Sequence, residues 1–180
     1  MAYYGAEAAV EAMDEFLQDA TYGFNAQLST MRSDLSLSTS DLPNVAEYSK
    51  YYPKATQARS FPSMGVIYLS DTAEQEANSR MINLSLETRL TVLDLNVNGS
   101  ESEVGLAMCR YRDALTKIFI RRLPMGRQGW TLSNGGTSAT GRVIRCSIER
   151  HSLEFDPEIQ ASTPNMMLRT EYLVRLQEDY

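Results

Sequence analysis

Hydrophobic and polar positions alternate through residues 82–95, INLSLETRLTVLDL. Ile82, Leu84, Leu86, Leu90 and Val92 fall on one side of an extended chain, with mostly polar partners between them. A period of two sustained over this length predicts a long strand buried on one face. On either side the period changes to three or four. Val10, Met13, Leu17, Ala20, Phe24, Leu28 and Met31 predict one amphipathic helix over residues 5–31, with Gly23 as the point where it weakens or bends. Val104, Ala107, Met108, Tyr111, Ala114, Leu115, Ile118 and Phe119 predict a second over residues 103–123. Ser100 and Glu103 fit a capping box at its start. Arg121 and Arg122 sit at its end, where cations suit the helix dipole, and Pro124 helps to stop it.

Three further strands complete the pattern. Residues 64–69 (MGVIYL) are a short β-type run, joined to the long strand by the polar connection 71–80 as an antiparallel hairpin. Residues 142–150 place Ile144, Cys146 and Ile148 on one face. Residues 167–177 do the same with Leu168, Thr170, Tyr172, Val174 and Leu176. The order is α-β-β-α-β-β. The fold class expected is α+β, an antiparallel sheet with two helices packed on one face.

Two stretches break the periodicity. Residues 33–63 are rich in Ser, Thr and Asp, are punctuated by Pro43, Pro53 and Pro62, and hold Tyr48, Tyr51 and Tyr52. A structureless connection of this length is uncommon in a compact domain. It reads either as an extended arm or insertion, or as a loop plus one short strand packed on the core. Residues 125–141 carry five glycines and Trp130, and read as a glycine-rich loop or hairpin. At 180 residues the whole chain, 1–180, is expected to form a single domain with a sizeable core.

The net charge of -6 is unevenly spread. Residues 1–49 hold eight acids against Arg32, whereas residues 110–150 hold nine bases against Asp113 and Glu149. These are either solvated or mutually neutralising faces, or complementary patches that register head-to-tail association.

Chemistry finds little support. His151 is the only histidine, and no G-x-S-x-G motif, P-loop or G-x-G-x-x-G is present. Cys109 and Cys146 are far apart in sequence and lack the His and Cys neighbours of a zinc site. The carboxylate pairs Glu11 with Glu15 and Glu74 with Glu76 read as exposed charges, and Asp156 with Glu158 lacks the further ligands of a calcium site. The expectation is a non-enzyme without metal or cofactor. The arginines of 110–150 are dispersed in an acidic chain, against the footprint of a sequence-specific nucleic-acid binder, although DNA passing by without tight binding is compatible. No apolar run reaches the ~20 residues of a membrane span. The N-terminal residues lack the basic start and apolar core of a secretory signal, so synthesis in a reducing cytoplasm is expected.

The helix EVGLAMCRYRDALTKIF at residues 103–119, with Tyr111, Asp113, Ala114 and Leu115 at its centre, resembles that of the tail terminator (tail completion) proteins of long-tailed bacteriophages. The final strand LRTEYLVRL adds to the likeness. It spans residues 5–31 and 64–180 at the level of element order and pattern, and the 33–63 stretch is longer than the family's usual connection. The resemblance implies a virion protein of the tail and neck. It would form a hexameric ring that caps the tail tube, ends its polymerisation and meets a neck or head-completion protein, with DNA passing through the lumen. By position and charge, Arg121, Arg122, Arg127 and Trp130 are the candidates for contact with a neighbour or the tube, and Glu11 and Glu15 for the acidic side. The alternatives are a head–tail connector ring or another tube-associated subunit and, more distantly, a small enzyme or adaptor.

Overall fold

The alternating segment forms the middle of a sheet. The structure, a computed structural model, describes residues 5–50, 58, 60–75, 79–93, 101–122, 131–133, 140–154 and 165–179. Its elements run α1 (Gly5–Gln18), α2 (Phe24–Leu35), β1 (Glu47–Lys50), β2 (Ser63–Gln75), β3 (Ser79–Leu93), α3 (Glu101–Arg122), β4 (Thr131–Ser133), β5 (Thr140–Glu154) and β6 (Asn165–Asp179). The strands make one six-stranded sheet in the order β1-β2-β3-β6-β5-β4. β3 pairs with β6 over their full length, from Ser79↔Asp179 to Leu93↔Asn165.

The fold is mixed α+β, and it corrects the expected sheet and element order. β1 runs parallel to β2, so the sheet is mixed and not purely antiparallel. Three helices stand where two were expected, because the helix predicted over 5–31 is interrupted. The Asp19 carboxylate accepts the Thr21 and Tyr22 N–H groups at 2.8 and 2.6 Å, drawing those donors out of the helical ladder. Gly23 then packs so closely that a Cβ would lie 2.5 Å from the Asp19 carbonyl oxygen and 2.6 Å from that of Leu17. Ala20, expected on the apolar stripe, is exposed in this turn.

The first hairpin is also longer than its hydrophobic run. β2 continues through Asp71, Thr72, Ala73 and Glu74 to Gln75, all in register with β3. Backbone pairing carries the strand past the point where burial ends, since these four side chains are exposed. Strict alternation fails at three places, where register shifts leave Leu69, Ile144 and Glu149 without a cross-strand partner. The shift at Ile144 gives Val143, not Ile144, the position opposite Leu176 on the face that also carries Cys146.

One face of the sheet carries the core. Ile82, Leu84, Leu86, Leu90 and Val92 are each fully buried, as are Leu168, Tyr172, Val174 and Leu176 beside them on β6. Against them lie the apolar stripes of the helices: Val10, Met13 and Leu17 of α1, and Met108, Tyr111, Leu115 and Phe119 of α3. Phe119 bridges the layers, with its ring centroid 4.8 Å from Tyr172 below and 5.5 Å from Phe16 beside it. α2 packs on α3 through Phe24, whose ring stands 6.0 Å from that of Tyr111.

Within residues 33–63, the stretch from 36 to 50 lies against this core. Leu42 and Val45 are buried. Arg32 donates to the Leu42 carbonyl at 2.8 Å, Asn25 exchanges two hydrogen bonds with the Val45 backbone, and the Tyr111 hydroxyl donates to the Pro43 carbonyl at 2.7 Å. Residues 51–57 and 59 lie outside the described residues, as do Ser100 of the expected capping box and residues 123–130 and 134–139 of the glycine-rich stretch.

Candidate functional site

Two tripeptides in the chain mirror each other: Glu87-Thr88-Arg89 on β3 and Arg169-Thr170-Glu171 on β6. Antiparallel pairing sets Thr88 opposite Thr170 on the helix-covered side. On the other face it sets Glu87 opposite Glu171 and Arg89 opposite Arg169. Like charges directly opposite each other work against a sheet, by up to about 1 kcal/mol per pair. Diagonal contacts reverse the balance. Arg169 donates to Glu87 at 2.6 Å and reaches Glu154 at 3.4 Å, Arg89 donates to the other Glu87 oxygen, and Arg150 lies 3.6 Å from Glu171. The Glu87 side chain is wholly enclosed. Burial alone would push its carboxyl up, yet the two guanidinium groups win and hold it below the usual carboxylate range.

Two rows further along the same face the pattern differs. Arg145 of β5 stands directly opposite Arg175 of β6, and the row continues through Asn83 to Thr72 without an acid. Both arginines are exposed. Neither makes an ion pair within the subunit among the described residues. Between this row and the compensated ladder lies Leu173, flanked by Ser85 and Ser147 and 42% exposed. The sheet therefore presents two unneutralised guanidinium groups beside an apolar side chain, an arrangement suited to carboxylates or phosphates.

On the covered side the polar groups hold the fold together. Thr116 donates to the Arg112 carbonyl at 2.9 Å, so its oxygen accepts from His151 Nε2–H at 3.3 Å, and Nδ1 then accepts the Thr170 hydroxyl at 2.9 Å. Both ring nitrogens are engaged in tying α3 to β5 and β6, and burial, helped by Arg112, holds the imidazole pKa below its usual value. Asp14 of α1 is almost completely buried, accepts from Gln18 at 2.8 Å and lies 3.6 Å from Lys50 of β1. Its second oxygen and the Tyr48 hydroxyl have no hydrogen-bond partner among the described residues. Burial raises the Asp14 pKa against the opposing pull of Gln18 and Lys50. Cys146 is a core residue whose thiol burial pushes up to about 12, and Cys109 is half-buried.

The residues singled out from the sequence do not converge. Glu11 and Glu15 lie one turn apart on the exposed side of α1. Arg121 and Arg122 are the last two residues of α3, with side chains outside the described residues, and Arg127 and Trp130 lie outside them altogether. The basic segment 110–150 is divided between two sides: α3 packs on the covered face, whereas Arg145 and Arg150 project from the opposite one. Sequence reasoning missed Glu87, Arg89, Arg169 and Glu171, and the unpaired Arg145 and Arg175. Their signal was available as charges at the polar positions of alternating strands, but only the register makes it readable.

Among the described residues, no group of His, Cys, Asp and Glu could hold a metal ion, and no helix is long and apolar enough to cross a membrane. No protein-family model matches the chain, and no curated protein matches its sequence.

Proposed function

We propose that this chain is a structural subunit of a phage tail, of the tail-terminator type. Copies of it form a ring that caps the tail tube, ends its polymerisation and joins it to the neck. The observation that carries the reading is the two-sidedness of the subunit. Helices cover one face of the sheet, and the exposed side of α1 carries Glu7, Glu11 and Glu15. The opposite face carries the exposed Arg145, Arg175 and Leu173. A subunit with different, chemically complementary sides favours head-to-tail contacts, which close into a ring when the rotation between copies allows. The resemblance of the α3 and β6 sequences to tail terminators supplies the particle, and the same surfaces would serve a connector ring.

The test is the mass and shape of the assembled material. Light scattering and negative-stain micrographs of the purified chain, alone and mixed with the tail-tube protein of the same particle, should give closed rings, free or seated on tube ends. A chain that stays monomeric at high concentration and leaves tube length unchanged overturns the reading.

A further inference from the structure

We propose that strand β1 is a latch: it opens from its Lys50 end while the rest of the fold stays intact, and so uncovers the outer edge of β2. The inference concerns the single subunit and stands apart from the ring reading.

The first support is the unequal hold on the two ends of the strand. Ahead of β1 the chain is well anchored. Val45 is buried, its backbone exchanges two hydrogen bonds with Asn25, and the Ala46 N–H donates to the Pro62 carbonyl at 2.8 Å. At the first residue of β1, the Glu47 carboxylate accepts the Ser60 N–H at 3.0 Å. The other end rests on helix α1 through Lys50 and Asp14, which stand 3.6 Å apart, and the Lys50 side chain is 37% exposed. Well-made bonds between ammonium and carboxylate groups span about 2.7–2.9 Å, so this contact is loose.

The second support is what that join leaves unbonded. Gln18 and Lys50 both approach the same oxygen of Asp14. The other oxygen is buried without a hydrogen-bond partner among the described residues, and so is the Tyr48 hydroxyl of β1. Burial, reinforced by the nearby Asp14 charge, pushes the Tyr48 phenol pKa up. A buried donor and a buried acceptor that bond to nothing have given up water without return. Opening gives water back to both and so offsets part of its own cost. At the centre of the sheet the matching groups are satisfied, since the buried Thr88 and Tyr172 hydroxyls of β3 and β6 bond each other at 3.0 Å.

The third support is how little else holds the strand. β1 meets β2 at four positions, from Glu47↔Ser63 to Lys50↔Val66, and runs parallel to it, the weaker pairing per residue. Tyr48 is the one β1 side chain packed against the core among the described residues, and it is only partly buried. Its release exposes little apolar surface, which keeps the opening local. Once β1 has left, Ser63–Val66 present outward N–H and C=O groups on an extended strand, the template on which a sheet accepts a further strand.

Native-state hydrogen exchange of the full chain tests the latch in wild type, Y48F and D14N/Y48F, at one pH and corrected for intrinsic rates. Both substitutions keep the side-chain shape, one removing the unbonded hydroxyl and the other the buried charge. In the wild type, the amides of residues 47–50, and those of 63–66 that face them, should exchange at least about a hundredfold faster than amides inside the β3–β6 pair. Low urea should hardly change their rate, because little surface is exposed. In D14N/Y48F the same amides should slow about tenfold relative to the β3–β6 pair, and by less in Y48F.

If these amides exchange together with those of β3 and β6, β1 opens only when the whole fold does, and the latch is overturned. If they exchange fast but equally in all three forms, the strand frays without regard to Asp14 and Tyr48, and the proposal is overturned as well. Should D14N/Y48F fail to fold, Y48F decides alone, and an unchanged rate in it counts against the latch. None of these outcomes bears on whether copies of the chain close into a ring.

Discussion

Glu87 of β3 and Arg169 of β6, 82 residues apart in the chain, meet at 2.6 Å on the side of the sheet opposite the helices. Their contact runs diagonally between two rows of like charges and holds the central strand pair in a register that direct opposition would disfavour. Replacing Glu87 by glutamine leaves Arg89 and Arg169 facing each other with no carboxylate between them. Breaking an enclosed ion pair by removing one partner costs about 3 kcal/mol. Glu87→Gln should therefore lower the urea midpoint with an unchanged slope. An unchanged midpoint would show that the ladder follows the register and does not help to set it.

Acid should act on Glu87 and Asp14 in opposite directions. The folded-state pKa of Glu87 is depressed, so its contribution is present above its ordinary value of 4.5 and is lost as pH falls through the lower folded value. The folded-state pKa of Asp14 is raised, so the fold favours its protonated form. That contribution is complete below 3.8 and lost as pH rises through the folded value, leaving a buried charge at neutral pH. Asp14→Asn should stabilise the protein at pH 7 by on the order of 1 kcal/mol and give less gain in acid. Denaturation midpoints of the variant and wild type across pH 3–7 measure the difference. A gain that grew towards low pH would reverse the assignment.

Ser36 closes α2 in the left-handed region at φ 55, where Leu37 N–H donates to the Arg32 carbonyl at 2.9 Å. A side chain at that φ is strained, and glycine is not. Ser36→Gly should raise stability by about 1 kcal/mol, visible as a higher melting temperature. A lower one would mean that the exposed serine side chain contributes more than the backbone strain costs.

The residues that face the helices were largely legible in the sequence, because burial imposes a period that spacing alone reveals. The stripes of α3 and of β6 and the alternation of β3 are all buried where predicted. What escaped depends on contacts between distant segments. Gly23 was legible as a weak point of one helix, but the full break there turns on the Asp19 carboxylate and the close packing of Gly23, which no periodicity encodes. A short strand packed on the core was one of the two readings of residues 33–63, but the parallel pairing of β1 with β2 was not legible, and β2 outruns its apolar stretch because backbone pairing needs no hydrophobic side chain. The charged face was hidden for the same reason. Glu87 and Arg169 look like ordinary solvated charges until the register sets them beside each other, and Arg145 gains its meaning only from standing opposite Arg175.

His151 gives a direct probe of the join between α3 and the sheet, because the chain has one histidine and its ring signals need no assignment by mutation. The ring is held neutral, donating from Nε2 to Thr116 and accepting at Nδ1 from Thr170. A second proton at Nδ1 would turn that acceptor into a donor facing a hydroxyl already committed to it, in a partly buried site with Arg112 nearby. The folded-state pKa is therefore depressed. The contribution is present above the ordinary value of 6.5 and is lost as pH falls through the folded value. An NMR titration should place the ring midpoint below 6.5, and stability should decline with acid over the same interval. His151→Gln keeps one acceptor and one donor but cannot titrate, so it should remove this part of the pH dependence at a cost of about 1 kcal/mol or less at pH 7.5. A ring that titrates at or above 6.5 would mean that the imidazole is solvated and that Thr116 and Thr170 do not bind it.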